Sequence, residues 1–308
     1  MISGTLLFVQ TLNGIQFGMM LFLFAAGLTL VLGIMNLVNL AHGSLYMLGA
    51  FFAATMEHWT GSFLLGLLLA LPATFVAGVV IEVSVLRTLY VRHHLDQVLA
   101  TFGLILFLNE LVRTIWGSTP LYISIPTFLS GSVALFSGVS YSIYRLSLIL
   151  IGLVVALLIY LLVAKTKLGM LIRAGSSNRE MVEALGVDIR LLFTAVFGLG
   201  AVLAALAGVM VGPILSVESG MGDSILILAL VVIVIGGIGS IRGSFIAAII
   251  VGVVDTMGRA FMPSFLIAVM PYSIASAVGP ALASMLTYLL MAVVLFFRPQ
   301  GLFPVQGG

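Results

Sequence analysis

Long stretches of apolar residues, bounded by short polar or charged segments, make up most of this chain. A helix needs about 20 apolar residues to cross a lipid bilayer. Continuous apolar stretches of this length are typical of helices, whereas membrane barrels have alternating strands. Membrane-spanning helices are therefore predicted at about residues 6–35, 63–81, 99–115, 146–164, 191–212 and 284–297.

Two apolar stretches are interrupted by polar residues and glycines, which disfavour a continuous helix. The first interruption contains Asn36, Asn39, His42, Gly43 and Ser44. The second interruption contains Gly236, Gly237, Gly239 and Ser240. In both, an x-Gly-Ser sequence leads into another apolar helix, at positions 42–44 and 242–244. We interpret them as a degenerate internal repeat with two broken helices, which predicts an all-α polytopic bundle of about 8–9 spans.

Interrupted helices at membrane depth have two explanations. Non-helical backbone is tolerated there where it lines a water-filled cavity, and paired interruptions in the two halves of a chain are typical of a transport path. Small and polar residues also mediate contacts between helices. The spacing of the residues is compatible with both explanations.

Charged residues are concentrated between Lys165 and Arg190, where eight of them lie between two long apolar stretches. The five basic residues of this segment place it on the cytoplasmic side. We therefore divide a single transmembrane domain, residues 1–308, into a first half (5–115), a periplasmic loop (116–144), this cytoplasmic loop (165–190) and a second half (191–298). The N-terminus is expected outside the cell, and alternation at 122–125 predicts a small hairpin in the periplasmic loop.

The cytoplasmic loop contains the signature of a short helix. Ser177 and Glu180 fit a capping box, and Gly186 is expected to end the helix. Met181, Val182 and Leu185 are then predicted to share one face. This helix is either a solvated connector or a projection that fits a groove in a soluble partner.

Composition supports an integral membrane protein and excludes several classes of chemistry. Hydrophobic residues make up 62% of the chain, charged residues 7%, and the mean hydropathy is +1.32. The chain has no cysteine, which excludes disulfides and thiolate metal sites. It has no phosphate-binding Gly-x-x-x-x-Gly-Lys loop, no Gly-x-Ser-x-Gly motif and no histidine pair at metal-binding spacing. We therefore expect a transport subunit that is not an enzyme and binds no cofactor or nucleic acid.

Acidic residues within the predicted spans are few. Glu110 and Asp255 each have a basic residue three or four positions later, so internal ion pairs are expected. Glu82 is the one remaining candidate for the unpaired carboxylate that a proton- or sodium-coupled carrier would need, and it lies at a helix end. The pattern favours a pore-forming body that is driven by another protein.

Four ordered motifs resemble the permeases of branched-chain amino acid ABC importers. Residues 35–51 resemble the first signature of that family, and Asn-Leu-Ala-His-Gly at 39–43 is similar to its LivH type. Residues 168–174, with 178–180 and 184–187, resemble its cytoplasmic coupling loop. Residues 236–243 and 298–303 complete the resemblance, which covers nearly the whole chain.

The resemblance implies partners and roles. It implies a second, LivM-like permease subunit, two cytoplasmic ATPase subunits that use ATP and Mg, and a periplasmic substrate-binding protein, in the inner membrane of a bacterium. The substrate would be leucine, isoleucine or valine, and a related branch carries urea and short amides. The two interruptions would line the substrate path. The coupling residues would be Arg173, Ala174, Asn178, Arg179, Glu180, Met181, Glu183, Ala184, Leu185 and Gly186.

Overall fold

The computed structural model describes residues 4–35, 37, 39–90, 92–136, 139–268 and 270–303. Within them the chain forms eleven α-helices and one two-stranded sheet. The helices are α1 (Gly4–Met35), α2 (His42–Thr60), α3 (Phe63–Ser84), α4 (His94–Trp116), α5 (Ile143–Lys165), α6 (Lys167–Ser177), α7 (Arg179–Ala184), α8 (Ile189–Val211), α9 (Met221–Gly236), α10 (Ile241–Ile267) and α11 (Tyr272–Phe297). The strands are β1 (Ser132–Phe136) and β2 (Val139–Ser142).

The predicted polytopic helical bundle is confirmed. Among the described residues, seven helices are long and apolar enough to cross a membrane, namely α1, α3, α4, α5, α8, α10 and α11. The helix α9 is apolar but has only 16 residues. The structure therefore does not confirm the expected count of eight or nine spans.

The helix α1 forms the centre of the bundle and is buried almost continuously from Gly18 to Val31. Glycines allow its backbone to approach helices on two sides. A Cβ atom on Gly27 would lie 2.7 Å from the carbonyl oxygen of Gly200 in α8, and one on Gly18 would lie 2.7 Å from that of Ala248 in α10. Because lipid is as apolar as the helix surfaces, the hydrophobic effect does not drive helices together in a membrane. Close approach of the backbones instead stabilises the contact through dispersion.

Two boundaries differ from the prediction. The loop 116–144 contains a hairpin, but it is formed by the antiparallel strands β1 and β2 and not by residues 122–125. Just before the stretch that was predicted to alternate, Leu121 pairs with Val217. The last helix begins at Tyr272, well before residue 284, and continues through Pro280.

The expected intrahelical ion pairs are present, with nitrogen–oxygen distances of 3.0 Å for Arg113–Glu110 and 2.8 Å for Arg259–Asp255.

Candidate functional site

The first interruption reverses the chain inside the bundle. The ring of His42, at the start of α2, lies 4.9 Å from that of Phe24 in the middle of α1. The chain thus runs about three helical turns past Phe24 to Met35 and then returns. At the other end of α2, Trp116 donates a hydrogen bond of 2.7 Å to Thr55. The structure therefore does not confirm one helix broken in two.

Polar side chains of the first interruption are enclosed and incompletely satisfied. Asn39, His42 and Ser44 are at most 2% exposed. The Oδ1 atom of Asn39 accepts a hydrogen bond of 3.1 Å from the amide of Ala41. Among the described residues, Asn39 Nδ2, both ring nitrogens of His42 and Ser44 Oγ have no partner of good geometry. Asn36 lies outside the described residues. Buried polar atoms in this state are costly to the fold.

Gly43 brings the start of α2 against the start of α9. A Cβ atom on Gly43 would lie 2.6 Å from the carbonyl oxygen of Gly222, so two backbones touch where a side chain would not fit. The amide of Gly220 also donates to the sulfur of Met47, at 3.3 Å. The positive ends of two helix dipoles therefore meet beside the enclosed polar side chains. Sequence reasoning missed Gly222, whose only signal is the Gly220-x-Gly222 spacing.

The second interruption is a tight turn between α9 and α10. Gly237 and Gly239 have φ angles of 103° and 79°, which L side chains rarely adopt. Ser240 caps α10 by accepting a hydrogen bond of 3.1 Å from the amide of Gly243. Gly236 packs against the backbone of Gly243, which holds the two helix ends together.

The C-terminal segment, residues 299–303, covers this turn. The amides of Leu302 and Phe303 donate to the carbonyl oxygens of Ile235 and Gly236, at 2.8 and 3.0 Å. These carbonyls belong to the last turn of α9, which has no intrahelical donors for them. In the sequence this segment carries only part of the family resemblance, and no motif predicts its hydrogen bonds to the end of α9.

The structure does not bring residues 39–44 of the first interruption together with the second interruption. The first lies beside Phe24, whereas a Cβ atom on Gly33 would lie 3.3 Å from the Cα of Gly239 in the second. Gly239 and Ser240 line a cavity of about 780 Å³, and none of the described residues of the first interruption (Asn39, His42, Gly43 and Ser44) lines it. The two sets therefore lie at different levels along α1.

The charged segment 165–190 forms two helices. Thr166 caps α6 with a hydrogen bond of 3.1 Å from the amide of Gly169. Asn178 caps α7: its side-chain oxygen accepts a hydrogen bond of 2.9 Å from the amide of Met181. The predicted cap at Ser177 is therefore wrong: Ser177 ends α6, and the extended backbone of Asn178 separates the two helices. Gly186, with φ 84°, follows the end of α7 as predicted.

The predicted shared face of α7 is divided. Val182 is 5% exposed and anchors the helix, whereas Met181 and Leu185 are 58% and 75% exposed. Two large apolar side chains thus project from a charged segment. Of the predicted coupling residues, Arg173 and Ala174 lie in α6, Asn178 is the cap, Arg179, Glu180, Met181, Glu183 and Ala184 form α7, and Leu185 and Gly186 end it.

Glu82 is buried, and it is paired. Its carboxylate accepts hydrogen bonds from Arg87 at 3.2 Å, from the hydroxyl of Tyr90 at 2.6 Å and from Thr194 at 2.7 Å. This network joins the end of α3 to the start of α8, directly after the α6–α7 segment. Within the described ranges, no group of three or more His, Asp or Glu side chains could hold a metal ion.

Comparisons with known proteins agree with the resemblance. The family described as "Branched-chain amino acid transport system / permease component" matches residues 10–295. The chain is 29% identical to the high-affinity branched-chain amino acid transport system permease protein BraD of Pseudomonas aeruginosa, over 95% of this chain and 94% of that protein. It is 28% identical to LivH of Escherichia coli K12, over 82% and 86%, and 27% identical to a probable LivH of Methanocaldococcus jannaschii, over 94% and 90%. No solved structure matches it.

Proposed function

This chain belongs to the family of permease components of branched-chain amino acid transport systems, and we propose that it is a membrane subunit of an ATP-driven importer for leucine, isoleucine and valine. The chain is a multi-pass membrane protein. Its curated relatives are named as high-affinity branched-chain amino acid permeases, which supports this substrate class.

One observation carries the proposal of ATP-driven coupling: the exposed apolar tip of α7. Met181 and Leu185 project beside Glu180 and Glu183, on a helix fixed to the bundle by the buried Val182. An exposed apolar pair with a charged surround is suited to a groove in another protein. We propose that two ATPase subunits supply this groove, one of them to this chain, and that they bind and hydrolyse ATP with Mg. We expect this chain to bind no nucleotide or cofactor itself, because its sequence has no Gly-x-x-x-x-Gly-Lys loop.

The orientation follows from the distribution of basic residues. Nine of the 12 Lys and Arg residues lie in or next to the helix ends on the α6–α7 side. By the positive-inside rule we assign this side to the cytoplasm, and we propose that the membrane is a bacterial inner membrane. The loop 116–144 then faces the periplasm, where a substrate-binding protein would deliver the amino acid. A second, LivM-like permease would complete the path.

The proposed path starts at the enclosed polar residues of the first interruption. The polar side-chain atoms of Asn39, His42 and Ser44 would exchange hydrogen bonds with the two ends of a zwitterion when the Gly43–Gly222 contact opens. Asn36 would belong to the same set. Gly236, Gly237, Gly239 and Ser240 would form the cytoplasmic end of the path.

The test is purification in a mild detergent, followed by reconstitution. We expect a sister permease and two ATPase subunits to co-purify, and uptake of radiolabelled leucine into vesicles to require ATP and the binding protein. Urea and acetamide serve as the competing solutes. Uphill leucine uptake by this chain alone would contradict the proposal, because it would identify a self-sufficient carrier.

A further inference from the structure

A groove on the side of the bundle extends from mid-depth to the α6–α7 end. It has a volume of about 780 Å³. The helix α1 forms its floor, from Phe22 to Gly33, which is a length of about 16 Å. The helices α5 and α10 form its walls, and α6 and Phe303 close one end.

Most of the groove is apolar. Phe22 and Leu30 contribute from the floor, Ala156 and Val163 from α5, and Phe245 from α10. Both wall helices carry exposed apolar side chains of the kind that face lipid: Leu157 of α5 is 57% exposed, and Ile246, which lines the groove from α10, is 37% exposed. The long apolar part of the groove therefore lies at the depth of the hydrocarbon chains.

The α6 end of the groove is basic. The guanidinium carbon of Arg242 lies 5.4 Å above the ring of Tyr160, and Arg173 lines the same end from α6. No acidic residue lines the groove, and neither arginine forms an ion pair within the part of the chain that the structure describes. Ser176 and Ser240 also line the groove, each with its hydroxyl in a hydrogen bond to the backbone. Two unpaired guanidinium groups with nearby hydroxyls suit the oxygens of a phosphate.

We propose that this groove binds an anionic phospholipid of the cytoplasmic leaflet, with its phosphate between Arg173 and Arg242 and an acyl chain along α1. The charge complements an anionic headgroup, and basic pockets between membrane helices on this side are suited to such lipids. An amino acid would fill only a small part of the volume, and a partner helix would need an acidic residue at this end to satisfy the two arginines.

A bound lipid would connect the membrane to the coupling segment. Ile172, Arg173 and Ser176 of α6 line the groove, and α6 leads directly into α7 through Asn178. The lipid would tie α6 to α5 and α10 and so fix the position from which α7 projects. Anionic lipid would then increase coupled transport without contacting the substrate.

The test uses the chain as it purifies from its membrane, with whatever subunits accompany it. Native mass spectrometry would count bound phosphatidylglycerol and phosphatidylcholine after titration of each lipid. We expect each chain to retain one phosphatidylglycerol molecule in preference to phosphatidylcholine. Arg173→Gln and Arg242→Gln should each weaken its binding about fivefold. The matched control is Arg92→Gln, because Arg92 is also exposed on this side but lies outside the groove.

A second pair of variants tests the acyl part of the groove. Ala156→Phe would fill the groove between α5 and α1 and should lower phosphatidylglycerol retention at least fivefold, whereas Leu157→Phe on the neighbouring lipid-facing position should not. If an arginine variant fails to assemble, this second pair still tests whether the groove binds the lipid.

Three results would overturn the proposal: equal retention of both lipids by the wild-type chain, an equal effect of Arg92→Gln and Arg242→Gln, or unchanged binding to Ala156→Phe. Competition by free leucine would overturn it too, since the groove would then hold substrate and not only border the proposed path at Gly239 and Ser240. All of these readouts measure lipid binding, so they remain valid whether or not the chain works with ATPases.

Discussion

The backbone amide of Phe303 donates a hydrogen bond of 3.0 Å to the carbonyl oxygen of Gly236, which fixes the C-terminal segment to the end of α9. Gly301 makes this contact possible, because a Cβ atom there would lie 2.6 Å from the amide nitrogen of Gly237. The last residues of the described chain thus complete the second interruption, although they are far from it in sequence.

Gly301→Val should detach this segment. The φ angle of Gly301 is 81°, and that of Gly117 is 84°, but a Cβ atom on Gly117 would meet nothing within 4 Å. Both valine variants should lose about 1–3 kcal/mol through backbone strain. Only Gly301→Val should speed hydrogen exchange at the amides of Leu302 and Phe303, measured by mass spectrometry. Equal exchange in the two variants would show that the contact does not hold the segment.

Substitutions at two buried serines distinguish a role in the substrate path from a role in helix packing. Ser44 and Ser244 are both at most 2% exposed, but Ser244 Oγ lies 2.8 Å from Thr29 Oγ1, whereas Ser44 Oγ has no partner within the described residues. Ser44→Ala should therefore leave thermal stability nearly unchanged and slow leucine uptake. Ser244→Ala should cost about 1 kcal/mol and leave uptake per folded transporter intact. Unchanged uptake by a stable Ser44→Ala variant would remove Ser44 from the proposed path.

The tip of α7 should be required for coupling. Glu183→Lys with Leu185→Asp places new charges on the exposed tip without disturbing the buried Val182. We expect the membrane subunits to assemble normally, ATPase subunits to dissociate, and leucine uptake to fall at least tenfold. Leu185→Met keeps the apolar contact and should retain uptake. Normal transport by the double variant would refute the coupling role of α7.

Glu82→Gln distinguishes a structural carboxylate from a proton carrier. The carboxylate is fully buried and accepts hydrogen bonds from Arg87, Tyr90 and Thr194. Glutamine retains only part of this network, so the variant should lose about 1–3 kcal/mol of stability. Folded protein should still transport leucine at more than half the normal rate. A variant that folds normally but loses uptake would favour a proton-coupled mechanism.

Features carried by neighbouring residues were predictable from the sequence. The first span was expected at 6–35 and is α1, Gly4–Met35, because its apolar length alone determines it. The ion pairs Glu110–Arg113 and Asp255–Arg259 follow from helix spacing. The cap at Ser177 was wrong because Ser and Asn have similar capping preference, and the choice of Asn178 depends on where α6 ends.

The sequence by itself determined a helical membrane protein, its charged segment at 165–190 and its family, since these depend on apolar length, local charge and motif order. Only the tertiary structure decided that Gly43 meets Gly222, that Phe303 caps α9 and that Arg173 and Arg242 share a groove. These contacts join residues distant in the chain. They depend on how the helices cross, and most of them are made by backbone groups that every residue possesses. Composition and residue spacing therefore do not predict them.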